Sequence, residues 1–164
     1  MTVILGIDPG SRITGYAMIR TVKNKQEYIA SGCIRVKGET AAENLRQIYV
    51  GLKEIIQTYQ PEEAAVEQVF MHKNPSSALK LGQARGAALV ACAAHDLVIA
   101  EYATRQVKLA VVGYGAAEKN QVQRMVCAML NLSGKIQADA ADALAVAICH
   151  ANSRNIVIPA KRTK

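Results

Sequence analysis

What the chain lacks narrows its class first. Charges interrupt every apolar stretch, so no run reaches the roughly 20 residues that a membrane-spanning helix needs. The first residues, Met1-Thr-Val-Ile-Leu-Gly-Ile-Asp, have neither the basic flank nor the apolar length of a secretory signal, and a cytoplasmic location is expected. No Cys-x-x-Cys occurs. Cys33, Cys92, Cys127 and Cys149 stand far apart, which reads as reduced core thiols and speaks against a zinc site. Phenylalanine occurs once, at Phe70, and aspartate only four times, at Asp8, Asp96, Asp139 and Asp142.

Three of those aspartates sit where a charge is costly. Asp8 ends the apolar run Val3-Ile-Leu-Gly-Ile, and Asp139 and Asp142 lie inside Gln137-Ala-Asp-Ala-Ala-Asp-Ala-Leu. Glu67 is a fourth carboxylate of the same kind, at the end of Ala64-Ala-Val. A buried acid must be paired or must bind metal to be tolerated. The chain as a whole is basic, with 20 lysines and arginines against 13 acids and a net charge of +7. That balance suits a nucleic-acid partner, although charge alone does not require one.

The 164 residues are long enough for one domain with a sizeable core. Residues about 2–8, 14–21 and 27–36 read as three antiparallel strands, the first two joined by the turn Pro9-Gly-Ser and the last two by Lys23-Asn-Lys. Leu45, Ile48, Tyr49, Leu52, Ile55, Ile56 and Tyr59 then recur at helical spacing, which predicts a helix over about 40–60. A strand over about 63–69 follows, then a small-residue helix from Asn74-Pro-Ser to about 95, a fifth strand over about 97–103, and helices over about 117–131 and 137–152. The fold class is α/β, a mixed five-stranded sheet with helices on its faces. The domain is expected over 1–152, and the basic stretch 153–164 is expected to fray.

If the strands that end in Asp8 and Glu67 are neighbours, their carboxylates converge. Asp139 and Asp142 are three residues apart near a helix start, so both point the same way, and the helix N-terminus favours negative groups. Oxygen ligands without His or Cys suit Mg²⁺, with Mn²⁺ as a substitute. Four carboxylates repel one another and a phosphate, and two divalent ions would cancel their charge and form a clamp for attack on a phosphodiester. Each acid also has an ordinary explanation: Asp139 as a helix cap, Asp142 as a dipole partner, Asp8 as a turn residue.

Six stretches add a resemblance. Ile4-Leu-Gly-Ile-Asp-Pro-Gly-Ser-Arg-Ile-Thr-Gly-Tyr, Val66-Glu-Gln-Val-Phe, Ser77-Ala-Leu-Lys-Leu-Gly-Gln-Ala-Arg-Gly, Tyr102-Ala-Thr-Arg-Gln-Val-Lys, Ala117-Glu-Lys-Asn-Gln-Val-Gln and Gln137-Ala-Asp-Ala-Ala-Asp-Ala-Leu-Ala resemble the RuvC family of Holliday-junction resolvases, in family order over most of 1–150. The resemblance implies an RNase H-like fold. It implies that Asp8, Glu67, Asp139 and Asp142 hold two metal ions per subunit, and that a homodimer nicks two strands symmetrically across a four-way junction. It further implies catalytic lysines at Lys108 and Lys119, and a RuvA–RuvB branch-migration complex as partner. On that reading water attacks and leaves a 5′ phosphate and a 3′ hydroxyl.

Phe70, close to Glu67 and followed by Met71-His-Lys, reads either as a base-stacking residue or as a core anchor at a strand end. Arg12, Lys73, Lys80, Arg85 and Arg105 are candidate phosphate contacts. His150 lies two helical turns past Asp142, where it could flank the site. Leu79, Gly82, Gly86 and Leu89 share a helix side that could form the dimer interface. Gly113-Tyr-Gly is no dinucleotide fingerprint, since the third glycine and the acidic partner are missing. Two other classes stay open. Asp8-Pro-Gly-Ser-Arg-Ile-Thr-Gly also resembles the first phosphate loop of actin-like and sugar-kinase-like ATPases, although that fold needs two such lobes. A non-catalytic junction-binding protein is the other.

Overall fold

The computed structural model describes residues 1–23, 25–68, 74–134 and 136–157. Five strands form one mixed sheet in the order β3-β2-β1-β4-β5. They are β1 (Thr2–Asp8), β2 (Ile13–Val22), β3 (Lys25–Arg35), β4 (Glu63–Glu67) and β5 (Val98–Tyr102). The first three are an antiparallel meander, while β4 runs parallel to β1 and β5 parallel to β4. Strand β4 is short, lies between β1 and β5 and is buried on both faces, which explains why it reads as the near-continuous apolar run Ala64-Ala-Val.

Two helix layers cover the sheet. On one face lie α1 (Ala41–Tyr59) and α2 (Pro75–Ala93), packed with Leu5, Ile7, Met18, Ala64 and Val66. Helix α1 starts as its sequence directs. Thr40 accepts a hydrogen bond from the backbone of Glu43, and Glu43 accepts one from the backbone of Thr40. Its buried stripe is Ile48, Leu52 and Ile56, each contributing about 1.5–3 kcal/mol by burial. Asn74 caps α2, and Pro75 occupies its first turn.

On the other face α5 (Ala138–Val157) crosses β1 and β2, flanked by α3 (Thr104–Val112) and α4 (Lys119–Met129). Helix α3 was not expected from the sequence. Its nine residues bury only Val107 and Val111, too short a pattern to separate from a strand. It ends at Gly113, whose φ of 77° gives the left-handed cap.

The last helix also differs from expectation. It runs past 152 to Val157, because Arg154 reaches from it to Glu63 Oε1 at 3.0 Å, Thr2 Oγ1 at 2.9 Å and Thr21 Oγ1 at 2.8 Å. The basic residues beyond Val157 lie outside the described residues.

Candidate active site

Strand pairing places the first two acids. Ile7 is level with Val66 across the parallel β1–β4 pair, so Asp8 and Glu67, the next residues, end their strands side by side. Both lie at the carboxyl edge of the parallel strands, where open α/β sheets present their ligand sites.

Two glycines bring in the other two acids. A Cβ on Gly6 would collide with the carbonyl of Ala143, and one on Gly15 would collide with the carbonyl of Asp139. Gly15 is also the partner of Asp8 across the β1–β2 pair. The first turns of α5 therefore lie against bare backbone, and Asp139 and Asp142 come down beside Asp8. Ala140, Ala141 and Ala143 are buried around them and allow the close approach.

The electrostatics record this convergence. Burial and the neighbouring Glu67 carboxylate push the Asp8 carboxyl up to about 8, with a side-chain hydrogen bond to Glu67 and the charges of Asp142 and Asp139 acting the same way. Thr104 Oγ1, in the first turn of α3, donates to Glu67 Oε1 at 2.6 Å. Lys119 Nζ, at the start of α4, lies 2.5 Å from Asp142 Oδ2. The two partners shift in ways that need separate causes. Lys119 is raised by its bond to Asp142, while Asp142 is also raised because burial outweighs the attraction of Lys119. Lys119 and Asp142 form a close ion pair at a half-buried site.

Among the described residues, no three His, Cys, Asp or Glu side chains are drawn together tightly enough to enclose an ion as they stand. The donor set nonetheless fits a hard divalent cation. Every candidate ligand is a carboxylate oxygen. Asp8 can keep an ordinary charge only if positive charge is supplied beside it, and Lys119 already supplies some to Asp142.

A cleft of about 230 Å³ opens beside these acids, lined by Glu67, Thr104, Lys108, Lys119 and Asp142 with Val107 and Val122 at its base. Lys108, on α3, and Lys119, at the start of α4, both line this cleft. Arg12 and Lys80 line a different cleft of about 470 Å³ on the α1–α2 side, together with Lys37, which the sequence reading did not single out. Arg85 joins neither cleft and is ion-paired with Glu101. Phe70 and Lys73 lie outside the described residues. Asp96 takes a left-handed conformation, φ 57°, in the turn that follows α2.

His150 does not flank the site. It is buried, and its Nε2 lies 2.8 Å from Glu63 Oε2, at the start of β4, the opposite end from Glu67. Tyr102 Oη lies 2.8 Å from its Nδ1. With the carboxylate accepting from Nε2–H, Nδ1 accepts from the tyrosine hydroxyl. Burial lowers the His150 pKa despite the opposing effect of Glu63. Two turns along a helix carry a residue about 12 Å, enough to leave a cluster at one sheet edge.

Three positions that matter here carried no signal of their own in the sequence. Thr104 lies inside a matched motif, but a single hydroxyl has no periodic signal. Gly6 and Gly15 were legible only as members of the first motif.

Comparison with known proteins bears on the chain as a whole. The family model described as "Crossover junction endodeoxyribonuclease RuvC" matches residues 4–150. A crossover junction endodeoxyribonuclease RuvC of Photobacterium profundum is 61% identical over 158 residues, 96% of this chain and 91% of that protein. The protein of the same name in Legionella pneumophila is 57% identical over 156 residues, 94% of this chain and 90% of that one. Among solved structures, Thermus thermophilus RuvC in complex with a Holliday junction substrate superposes with a TM-score of 0.88 at 31% identity, covering 95% of this chain and 96% of that one. The yeast mitochondrial Holliday junction resolvase Ydc2 shares the fold, with a TM-score of 0.65 at 10% identity. On the strength of the family model and of relatives that align over nearly its whole length, the chain belongs to the RuvC family.

Proposed function

We propose that this protein is a metal-dependent endonuclease that resolves four-way DNA junctions by paired, symmetric nicks in recombination and repair. The observation that carries this reading is the convergence of Asp8, Glu67, Asp139 and Asp142 at one sheet edge, with Asp8 held up to about 8 by burial and by Glu67. Family membership and the likeness to a RuvC solved on a Holliday junction support the choice of substrate.

The four carboxylates would hold two Mg²⁺ ions, with Mn²⁺ as a substitute, and these would supply an activated water and charge stabilisation at the leaving 3′ oxygen. The chain's own groups do the rest. Thr104 holds one face of the Glu67 carboxylate through its hydroxyl. Lys119 and Lys108 stand on the cleft rim, where ammonium groups neutralise the oxygens of a bound phosphate. Val107 and Val122, both buried, give the cleft an apolar lining beside these charged groups, which strengthens each charge interaction. The products carry a 5′ phosphate and a 3′ hydroxyl.

A junction has near two-fold symmetry and one subunit has one such site, so two incisions call for a C₂ homodimer. The outer side of α2 suits the interface. Leu79 is 70% exposed, Val90 is 59% exposed, and the space outside Gly82 and Gly86 is open. Leu89 turns inward against the core instead. Phe70 and Lys73 are proposed DNA contacts, as are Arg12, Lys80 and Arg105. Among the described residues no helix is long and apolar enough to cross a membrane, all four cysteines are free, and a cytoplasmic role beside the RuvA–RuvB complex is proposed.

Incubation with a synthetic four-way junction tests the reading. Mg²⁺ should give two symmetric nicks that EDTA abolishes, and a linear duplex of the same sequence should stay intact. Binding without cleavage would point to the non-catalytic class.

A further inference from the structure

The cleft beside the four acids does not stop at Lys108. A second cleft, about 640 Å³, shares Thr104 and Lys108 with it and continues over the first turn of α3 toward the Gly113-Tyr114-Gly115 turn. Arg105 and Lys108 are among its lining residues, and among the described residues no acid is. Tyr114 stands in its wall with 62% of the residue exposed. A lone exposed aromatic needs no explanation. This one is different in its setting, because the turn that carries it is built around its neighbours. Gly113 takes the left-handed conformation that ends α3 and swings the chain outward. A Cβ on Gly115 would lie 2.8 Å from Arg105 Cγ and 3.1 Å from its Nε, so the arginine side chain runs across the bare backbone of the residue that follows Tyr114.

An exposed aromatic in a cleft that two cations also line is the combination that holds single-stranded nucleic acid: the ring stacks on a base and the cations take nearby phosphates. Bases near a branch point are the ones free to leave the stack. We propose that Tyr114 stacks on an unpaired base of the junction strand next to the scissile phosphate, with Arg105 on a neighbouring phosphate. The proposal rests on the nuclease reading above, and supplies that reading with the path of the strand beyond the four acids. Stacking accepts any base, so this contact adds affinity and strand placement without reading sequence.

The test uses the full chain and a synthetic four-way junction. In EDTA, Tyr114→Ala should weaken junction binding by roughly fivefold to 100-fold, while Tyr114→Phe stays within about twofold of wild type. In Mg²⁺ the alanine variant should lose cleavage mainly through a raised KM. Junctions carrying 5-iododeoxyuridine one to three nucleotides from the incision should, on irradiation, crosslink the wild-type protein at Tyr114, read by mass spectrometry. That measurement stands even if the alanine variant folds poorly. Binding by Tyr114→Ala within twofold of wild type, equal losses for the alanine and phenylalanine variants, or crosslinks that avoid Tyr114 would each overturn the proposal. If wild type still cleaves the junction in those cases, the nuclease reading survives; if wild type does not cleave, that reading has failed instead.

Discussion

The hydroxyl of Thr104 donates to Glu67 Oε1 across 2.6 Å, joining the first turn of α3 to the end of β4. Glu67 also faces Asp8, so one of its oxygens is fixed by a neutral donor while the carboxylate group meets a second acid. A hydrogen bond to a charged group contributes about 1.5–3 kcal/mol. Thr104→Val should therefore lower junction cleavage by roughly tenfold or more, and Thr104→Ser should restore most of it. Equal activity in the serine and valine variants would show that the hydroxyl has no part in holding Glu67.

Gly6 and Gly15 make a second prediction. Alanine at either position collides with the backbone of α5, which cannot yield as a flexible side chain does. Overpacking of this kind costs about 1–3 kcal/mol, a fall in Tm of roughly 2–12 °C for a chain of this size. Cleavage should fall further than stability, because the displaced helix carries Asp139 and Asp142. Matching melting curves for Gly15→Ala and wild type would contradict the packing account.

Much of this site was legible in the chain. Asp8 and Glu67 announce themselves as acids that end apolar runs, and strand ends are where a sheet presents functional groups. The pair Asp139 and Asp142 follows from helical spacing. What was not legible depends on contacts between elements. Nothing local marks Gly6 as the seat of Ala143, or Thr104 as the partner of Glu67. Helix α3 escaped because Val107 and Val111 are β-branched residues in a nine-residue element. His150 misled because one helix carries both Asp142 and a buried structural pair, and sequence spacing does not reveal which end of β4 each meets.

The raised Asp8 carboxyl sets a stability cost. Its folded pKa lies above the unfolded value, so the folded chain binds more protons than the unfolded one between 3.8 and about 8. The Asp8 contribution to stability is undiminished below 3.8 and is lost as pH rises toward 8. In EDTA at pH 8, Asp8→Asn should then melt higher than wild type, by at least about 1 kcal/mol or roughly 2–4 °C, even though it is expected to be inactive. Added Mg²⁺ should raise the wild-type Tm and leave the variant nearly unmoved. A variant less stable than wild type under metal-free conditions would contradict the crowding of acids.

His150 acts in the opposite sense. Burial keeps its folded pKa below the ordinary 6.5, so it contributes stability that is present above that value and lost as pH falls through the lowered folded value. Thermal melts between pH 7 and pH 5 should show this acid-side loss, and His150→Gln should flatten it at the cost of a lower Tm at pH 7. An unchanged acid-side slope in the variant would assign the loss to other groups.

The central claim is that four acids at one sheet edge make a metal-dependent junction nuclease. The most direct measurement is cleavage of an end-labelled four-way junction by wild type and by Asp8→Asn, Glu67→Gln, Asp139→Asn and Asp142→Asn in Mg²⁺, with binding measured alongside. Each variant should bind the junction and lose at least about 100-fold in cleavage, roughly 2.7 kcal/mol of barrier. Near-normal cleavage by Asp8→Asn or Glu67→Gln would contradict it.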